Sequence, residues 1–196
     1  MSDRESSRKF REFASPHRVM GLDPSFNNFG VVVLDADDGK IVARKTIEVS
    51  DPGAMPAHRK TIARAELLRD VVASYIHAHR VAAAGIEDFS YLARSSSVYM
   101  LGQLQGIVRA TLEHAFGERW IAIAPTQHKK FATGKGNAAK DIYLKEVYKR
   151  WDLDFDTSHE AEAFVIAQIA RYNFYGGAEA LPKWQREILQ KIKAKR

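Results

Sequence analysis

The sequence predicts a mixed α/β domain built on a five-stranded sheet with helices on both faces. Three short apolar runs come first and are joined by tight turns. Helix-like and strand-like stretches then alternate, and helices close the chain. A meander followed by strand–helix–strand units makes a sheet that is part antiparallel and part parallel, covered by helices.

Val19-Met20-Gly21-Leu22 is an apolar run closed by Asp23-Pro24-Ser25, a strand entering a turn. Gly30 to Leu34 is a second, β-branched strand. Asp37-Asp38-Gly39 is a hairpin signal, and Ile41 to Val49 supplies the third strand. Pro56 opens a helix to about Ala78, with Ile62, Ala65, Leu68, Val72 and Tyr75 near helical spacing. Val81 to Ile86 is a compact buried strand ending in Glu87-Asp88. Leu101, Leu104, Val108, Leu112 and Ala115 line one face of another helix that Gly117 ends. Trp120 to Ala124 is the fifth strand, stopped by Pro125. Helices are expected over Asn137 to Trp151 and Ser158 to Tyr172. Gly176-Gly177 then breaks the chain before an amphipathic segment carrying Trp184, Ile188 and Ile192.

The organisation expected is a flexible leader over 1–17, one domain over 18–177, and a terminal helix over 178–196 that packs on the domain or on a second copy. At 196 residues the chain has the length of one well-covered domain. The leader mixes Arg4, Arg8 and Lys9 with Asp3 and Glu5 and has neither a signal peptide's apolar stretch nor a transit peptide's lack of acids. A cytoplasmic location is therefore expected, with no membrane partner. The absence of cysteine excludes disulfides, thiolate metal sites and a cysteine nucleophile. Any metal must be held by oxygen or imidazole.

Basic residues exceed acidic ones by six over the whole chain, which alone decides little. Their placement says more. Between Pro125 and Arg150 stand Lys129, Lys130, Lys135, Lys140, Lys145, Lys149 and Arg150 against only Asp141 and Glu146. Such clustering suits phosphate contacts, although a solvated helix face has the same composition.

The acids are placed more tellingly. Asp23 ends the first strand and Glu87 the fourth, so neighbouring strands would bring both carboxylates to one rim. There they suit a hard cation such as Mg²⁺. Taken singly, Asp23 also fits a turn and Glu87 an exposed strand end. The helix opening Asp156-Thr157-Ser158-His159-Glu160-Ala161-Glu162-Ala163 adds a third element. Thr157 and Glu160 stand in capping-box relation, and His159 and Glu162 share a face. Glu162 continues the apolar stripe of Ile166 and Ile169. A carboxylate there is costly unless it meets a cation or stays half-exposed in the first turn.

These residues resemble a family. Gly21-Leu22-Asp23-Pro24-Ser25 with Asn28 and Gly30-Val31-Val32-Val33 is similar to the first-strand motif of RuvC-type Holliday-junction resolvases, which belong to the ribonuclease H-like nucleases. Ile86-Glu87 resembles that family's second acidic position, and Leu101-Gly102-Gln103-Leu104-Gln105-Gly106 its Leu-Gly-Gln-x-x-Gly segment. Lys129-Lys130 through Thr133-Gly134-Lys135-Gly136-Asn137-Ala138-Ala139-Lys140 resembles its Lys-Lys…Thr-Gly-x-Gly-x-Ala-x-Lys segment. His159-Glu160-Ala161-Glu162-Ala163 stands where the family has Asp-x-x-Asp-Ala. Ser25, His159 and Glu162 depart from the usual Gly, Asp and Asp.

The resemblance implies a ribonuclease H-like fold and a metal-dependent endonuclease acting on four-way or branched DNA in recombination and repair. It implies two Mg²⁺ ions, with Mn²⁺ as a substitute, held by Asp23, Glu87, His159 and Glu162. Asp23 would bridge the ions, and His159 would either bind metal or orient water. Glu160 is a second choice for that position. Lys129, Lys130, Lys135 and Lys140, with Gly134, Gly136 and Gln103, would contact DNA. Phe89 and Tyr91 would either stack on unpaired bases or pack beneath their loop. A homodimer is implied, with the helix from Val98 or the tail helix with Trp184 as its interface. Three rivals stand beside this: a nuclease for RNA–DNA hybrids or flaps, a junction-binding protein that does not cut, and an actin-like phosphotransferase. The last needs Gly-rich phosphate loops that the sequence lacks.

Overall fold

The computed structural model describes residues 17–25, 27–89 and 96–193. The leader before residue 17 and Tyr91 lie outside the described residues. Five strands, β1 (Arg18–Pro24), β2 (Asn28–Asp35), β3 (Ile41–Glu48), β4 (Val81–Glu87) and β5 (Trp120–Ile123), form one sheet in the order β3-β2-β1-β4-β5. The first three are antiparallel, whereas β4 and β5 run parallel to β1. This is the mixed five-stranded sheet that the run of elements predicts.

Helices α1 (Ala57–His79) and α2 (Ser96–Phe116) cover one face. On the other lie α3 (Pro125–Thr133), α4 (Lys140–Trp151), α5 (Ser158–Tyr175) and α6 (Lys183–Lys193). Strand alternation decides which residues face which layer. Met20, Leu22, Ala84 and Ile86 point to α1 and α2, while Val19, Ala83, Val32 and Leu34 point to α5. By the same period of two, Asp23 and Glu87 belong to the α5 face. They stand one residue beyond the parallel pair Leu22↔Ile86, so both emerge at one rim.

Two elements differ from expectation. The basic segment after β5 is not an open loop: Pro125 starts helix α3. Proline has no N–H to donate, and the first turn of a helix needs none, so it begins helices as readily as it ends strands. The next helix accordingly starts at Lys140 rather than Asn137. Helix α5 is not amphipathic either. Every residue from Glu160 to Ala170 is buried, because α3, α4 and α6 close over the side that the sheet leaves free. In α6, Ile188, Leu189 and Ile192 join that same core, and the Gln185 amide donates to the Phe131 carbonyl at 2.7 Å.

Helix α5 lies so close to the sheet that side chains are excluded beneath it. A Cβ on Gly21 would come within 2.0 Å of the Ala163 carbonyl oxygen, and one on Gly30 within 2.2 Å of that of His159. Neither neighbour is a flexible side-chain tip, so a methyl group would have to lift the helix. Gly21→Ala is therefore expected to cost about 3 kcal/mol or more. Thermal unfolding should show it as a drop in Tm of about 6–12 °C; an unchanged Tm would refute the close approach.

Candidate active site

The rim carrying Asp23 and Glu87 meets the first turn of α5. Thr157 caps that helix by accepting from the Glu160 N–H at 3.2 Å. This cap and the glycine contacts fix the first turn over the strand ends, with His159 and Glu162 toward the acids. His159 Nδ1 is 2.7 Å from Asp23 Oδ2. One ligand atom each from Asp23, His159 and Glu162 lies within 4.8 Å of the others, and the same holds for Glu87, His128 and Glu162. The three acids and the imidazole singled out in the sequence thus converge. Glu162 is common to both groupings, the shared position expected of Asp23.

Burial sets the electrostatics. Asp23 is only 2% exposed. Burial, together with the charges and hydrogen bonds of Glu87 and Glu162, holds its carboxyl well above the usual range. Burial also pushes Glu87 up, but hydrogen bonds from His128 and Asp23 and the charges of His128 and Lys129 outweigh it, leaving Glu87 low. Of the two, Asp23 is thus the harder acid to ionise and Glu87 the easier, as in other carboxyl pairs that share a site. Burial lowers His159, as does the charge of Lys140, against the opposing pull of Glu162 and Glu87.

Three carboxyls held together against their mutual repulsion fit a divalent cation. Oxygen donors with one or two imidazole nitrogens suit Mg²⁺ and, better, Mn²⁺. Glu160 is not among these donors. Its carboxylate turns toward Arg44 of β3 at 3.7 Å, away from the rim.

His128 escaped the sequence reading. It is completely buried, with Nε2 3.1 Å from Glu87 Oε1 and Nδ1 3.1 Å from the Tyr143 hydroxyl. The only signal was a histidine one residue before the Lys-Lys pair. Without α3 nothing aimed it at Glu87.

The basic residues flank this rim. Lys129 and Lys130 lie in the last turns of α3 and are half-buried, and Lys135 and Lys140 are exposed. Gly134 ends α3 in the left-handed region (φ 81°). A Cβ on Gly136 would press to 3.1 Å from the Thr126 carbonyl oxygen, so the glycine lets the loop fold back on the helix. Gln103 on α2 is exposed. Phe89 packs beneath the Arg109 guanidinium, 4.7 Å from its ring centre, while Arg109 binds Asp88 at 2.7 Å. Of the two roles open to Phe89, the packing one matches this contact.

Residues 19–168 match the model of the crossover junction endodeoxyribonuclease RuvC family. The chain belongs to that family. It is 29% identical over 140 residues to the RuvC of Synechococcus sp. (strain CC9311), which covers 70% of this chain and 86% of the relative. It is 28% identical over 170 residues to that of Rhodopseudomonas palustris (strain TIE-1), covering 85% and 92%. Thermus thermophilus RuvC, solved in complex with Holliday junction substrate, superposes with a TM-score of 0.63 at 25% identity, covering 81% of this chain and 94% of that one. Yeast mitochondrial Holliday junction resolvase Ydc2, at 13% identity and a TM-score of 0.56, shares the fold. Within this ribonuclease H-like architecture, the acids stand at the ends of adjacent strands and on the helix across them. No helix among the described residues is long and apolar enough to cross a membrane.

Because Asp23 is protonated more readily in the folded chain than in the unfolded one, raising pH through the interval between its two pKa values lowers stability. Asp23→Asn removes that burden. In metal-free buffer the variant should melt above the parent by a margin that grows as pH rises above the usual carboxylate range. Each 1 kcal/mol gained appears as about 2–4 °C. A margin independent of pH would show that Asp23 is not the strained acid.

Proposed function

We propose that the chain is a Holliday-junction resolvase, an endonuclease that makes paired, metal-dependent nicks in four-way DNA and leaves 5′-phosphate ends. The observation that carries this reading is the convergence of Asp23, His159 and Glu162 with Glu87 on one rim, flanked by the basic helix α3. The junction complex of Thermus thermophilus RuvC, a relative of the same fold, supports the substrate.

Asp23, His159, Glu162 and Glu87 would hold two Mg²⁺ ions, with Mn²⁺ able to replace them. Bound there, such ions lower the pKa of an attacking water and offset charge on the leaving 3′ oxygen. The protein's own part is positioning. Asp23 would join them as a carboxylate, since a bound cation would offset the charges of Glu87 and Glu162. His159, whose pKa burial lowers, would offer its other ring nitrogen to metal or to the attacking water. Lys129, Lys130, Lys135 and Lys140 face the DNA backbone, and the main chain at Gly134 and Gly136, together with Gln103, adds neutral contacts.

Supercoil-free four-way junction, flap, duplex and RNA–DNA hybrid substrates with Mg²⁺ test the reading. Symmetric nicking of the junction is expected, and Glu87→Gln should slow it at least about 100-fold, as loss of an electrostatic contributor does, with junction affinity kept. Lys130→Ala should instead weaken binding and reduce its salt slope by about one. Preference for the hybrid, or no nicking with either Mg²⁺ or Mn²⁺, would sink the proposal.

A junction presents two strands related by two-fold symmetry, so the active form is a two-fold dimer. The open apolar groove walled by Ala73 and Ile76 of α1 and by Ile107 and Ala110 of α2 supports α2 as its interface. The apolar face of α6 is already spent in the core. Sedimentation should find the parent dimeric and Ala110→Glu monomeric. A parent that binds each junction as a single copy rules the dimer out.

A further inference from the structure

Inward from the rim, behind Glu87, a chain of polar side chains runs into the core. Tyr143 of α4 is 1% exposed and His128 of α3 is 0% exposed. Their rings meet edge to face at 5.7 Å between centres. Buried polar groups of this kind are tolerated only when each is satisfied, and both imidazole nitrogens are: Nδ1 by the Tyr143 hydroxyl and Nε2 by Glu87 Oε1, each at 3.1 Å. A carboxylate oxygen accepts, so the imidazole Nε2–H is the donor to Glu87 Oε1. The Tyr143 hydroxyl can both donate and accept, so it holds Nδ1 in either protonation state of the ring.

Glu87 needs such a tether. It is crowded by Asp23 and Glu162, and its side chain is 18% exposed at the rim. Only a tether on its inner side keeps it from swinging toward water. Fixing Oε1 sets the direction in which the other oxygen points.

We infer that His128, held in orientation by Tyr143, is a positioning residue that holds Glu87 in the metal-binding rotamer. This rests on the reading of Glu87 as a metal ligand given above. The competing assignment is direct ligation, since His128 Nε2 also lies within 4.8 Å of Glu87 and Glu162 ligand atoms. Ligation would require Nε2 to carry no hydrogen, with Nδ1 donating to the phenol oxygen. It would also require Nε2 to leave Glu87 for the ion.

The test is Mn²⁺ binding to the full chain without DNA, followed by electron paramagnetic resonance, with nitrogen couplings recorded on the bound ion. Loss of an outer hydrogen-bond partner weakens metal binding by about 10–100-fold. His128→Phe is expected to do so, Tyr143→Phe to act in the same direction by a smaller factor, and His128→Gln to recover most of the affinity. The glutamine amide can still donate to Glu87. Junction affinity in metal-free buffer should not change, and at saturating junction the cleavage rate, not the half-saturating concentration, should fall. The bound ion should show the same nitrogen couplings in parent and His128→Gln.

If His128→Phe does not fold, the Gln and Tyr143→Phe variants decide alone. Parent-like Mn²⁺ affinity in Tyr143→Phe, or affinity in His128→Gln no better than that of Glu87→Gln, overturns the proposal. So does loss of a nitrogen coupling in His128→Gln, which would make His128 a ligand. If instead Glu87→Gln itself binds Mn²⁺ like the parent, the metal reading of the rim fails and takes the tether with it.

Discussion

Helix α5 meets the sheet backbone to backbone, and the rim chemistry depends on that contact. Side chains normally hold a helix about 10 Å from a sheet. Here Gly21 and Gly30 remove them, and the carbonyl oxygens of Ala163 and His159 sit where Cβ atoms would be. Only at this separation does His159 reach Asp23 at 2.7 Å and Glu162 share a site with Glu87. A helix raised by one methyl group would leave three acids too far apart to share a cation. The glycines therefore act on chemistry through distance.

The same closeness makes the rim electrostatically uncomfortable. Asp23 ionises less readily than an ordinary carboxyl because it is buried and because two other carboxyls press on it. Such a centre is unfavourable on its own, and a divalent cation would relieve it. The fold tolerates this because the surroundings are over-determined. Thr157 caps the helix, Arg44 draws Glu160 aside, and the whole of α5 is enclosed between the sheet and three helices. Strain of this kind is characteristic of sites that bind ions.

Much of this was legible in the sequence. β-branched runs and turn signals gave the strands, and alternation carried Asp23 and Glu87 to a common rim. The capping pattern placed His159 and Glu162 in one helical turn. The rest was hidden for identifiable reasons. Pro125 can end a strand or begin a helix, and only packing against α4 and α6 selects the second, so α3 was missed. Missing α3 concealed His128, since its partners Tyr143 and Glu87 lie 15 and 41 residues away. The apolar stripe of α5 underestimated its burial, because it marks only the side that meets the sheet, whereas α3, α4 and α6 cover the rest. For Phe89, exposure to bases and packing under Arg109 use the same residue type. Only the contact separates them.

Helix α3 then joins the two halves of the site. Successive residues on a helix point about 100° apart, so one short segment can face both inward and outward. His128 looks into the core at Glu87, while Lys129 and Lys130 remain half-exposed beside it. Gln127 ties the helix start to β5 by accepting from the Ala124 N–H at 2.9 Å. At the other end, Gly134 N–H reaches back to Lys130. A helix of nine residues pinned at both ends moves as a unit. In the function proposed, phosphate contacts on its outer side and the orientation of Glu87 on its inner side would share one rigid frame, and a backbone gripped by the lysines would lie in fixed register with the acids.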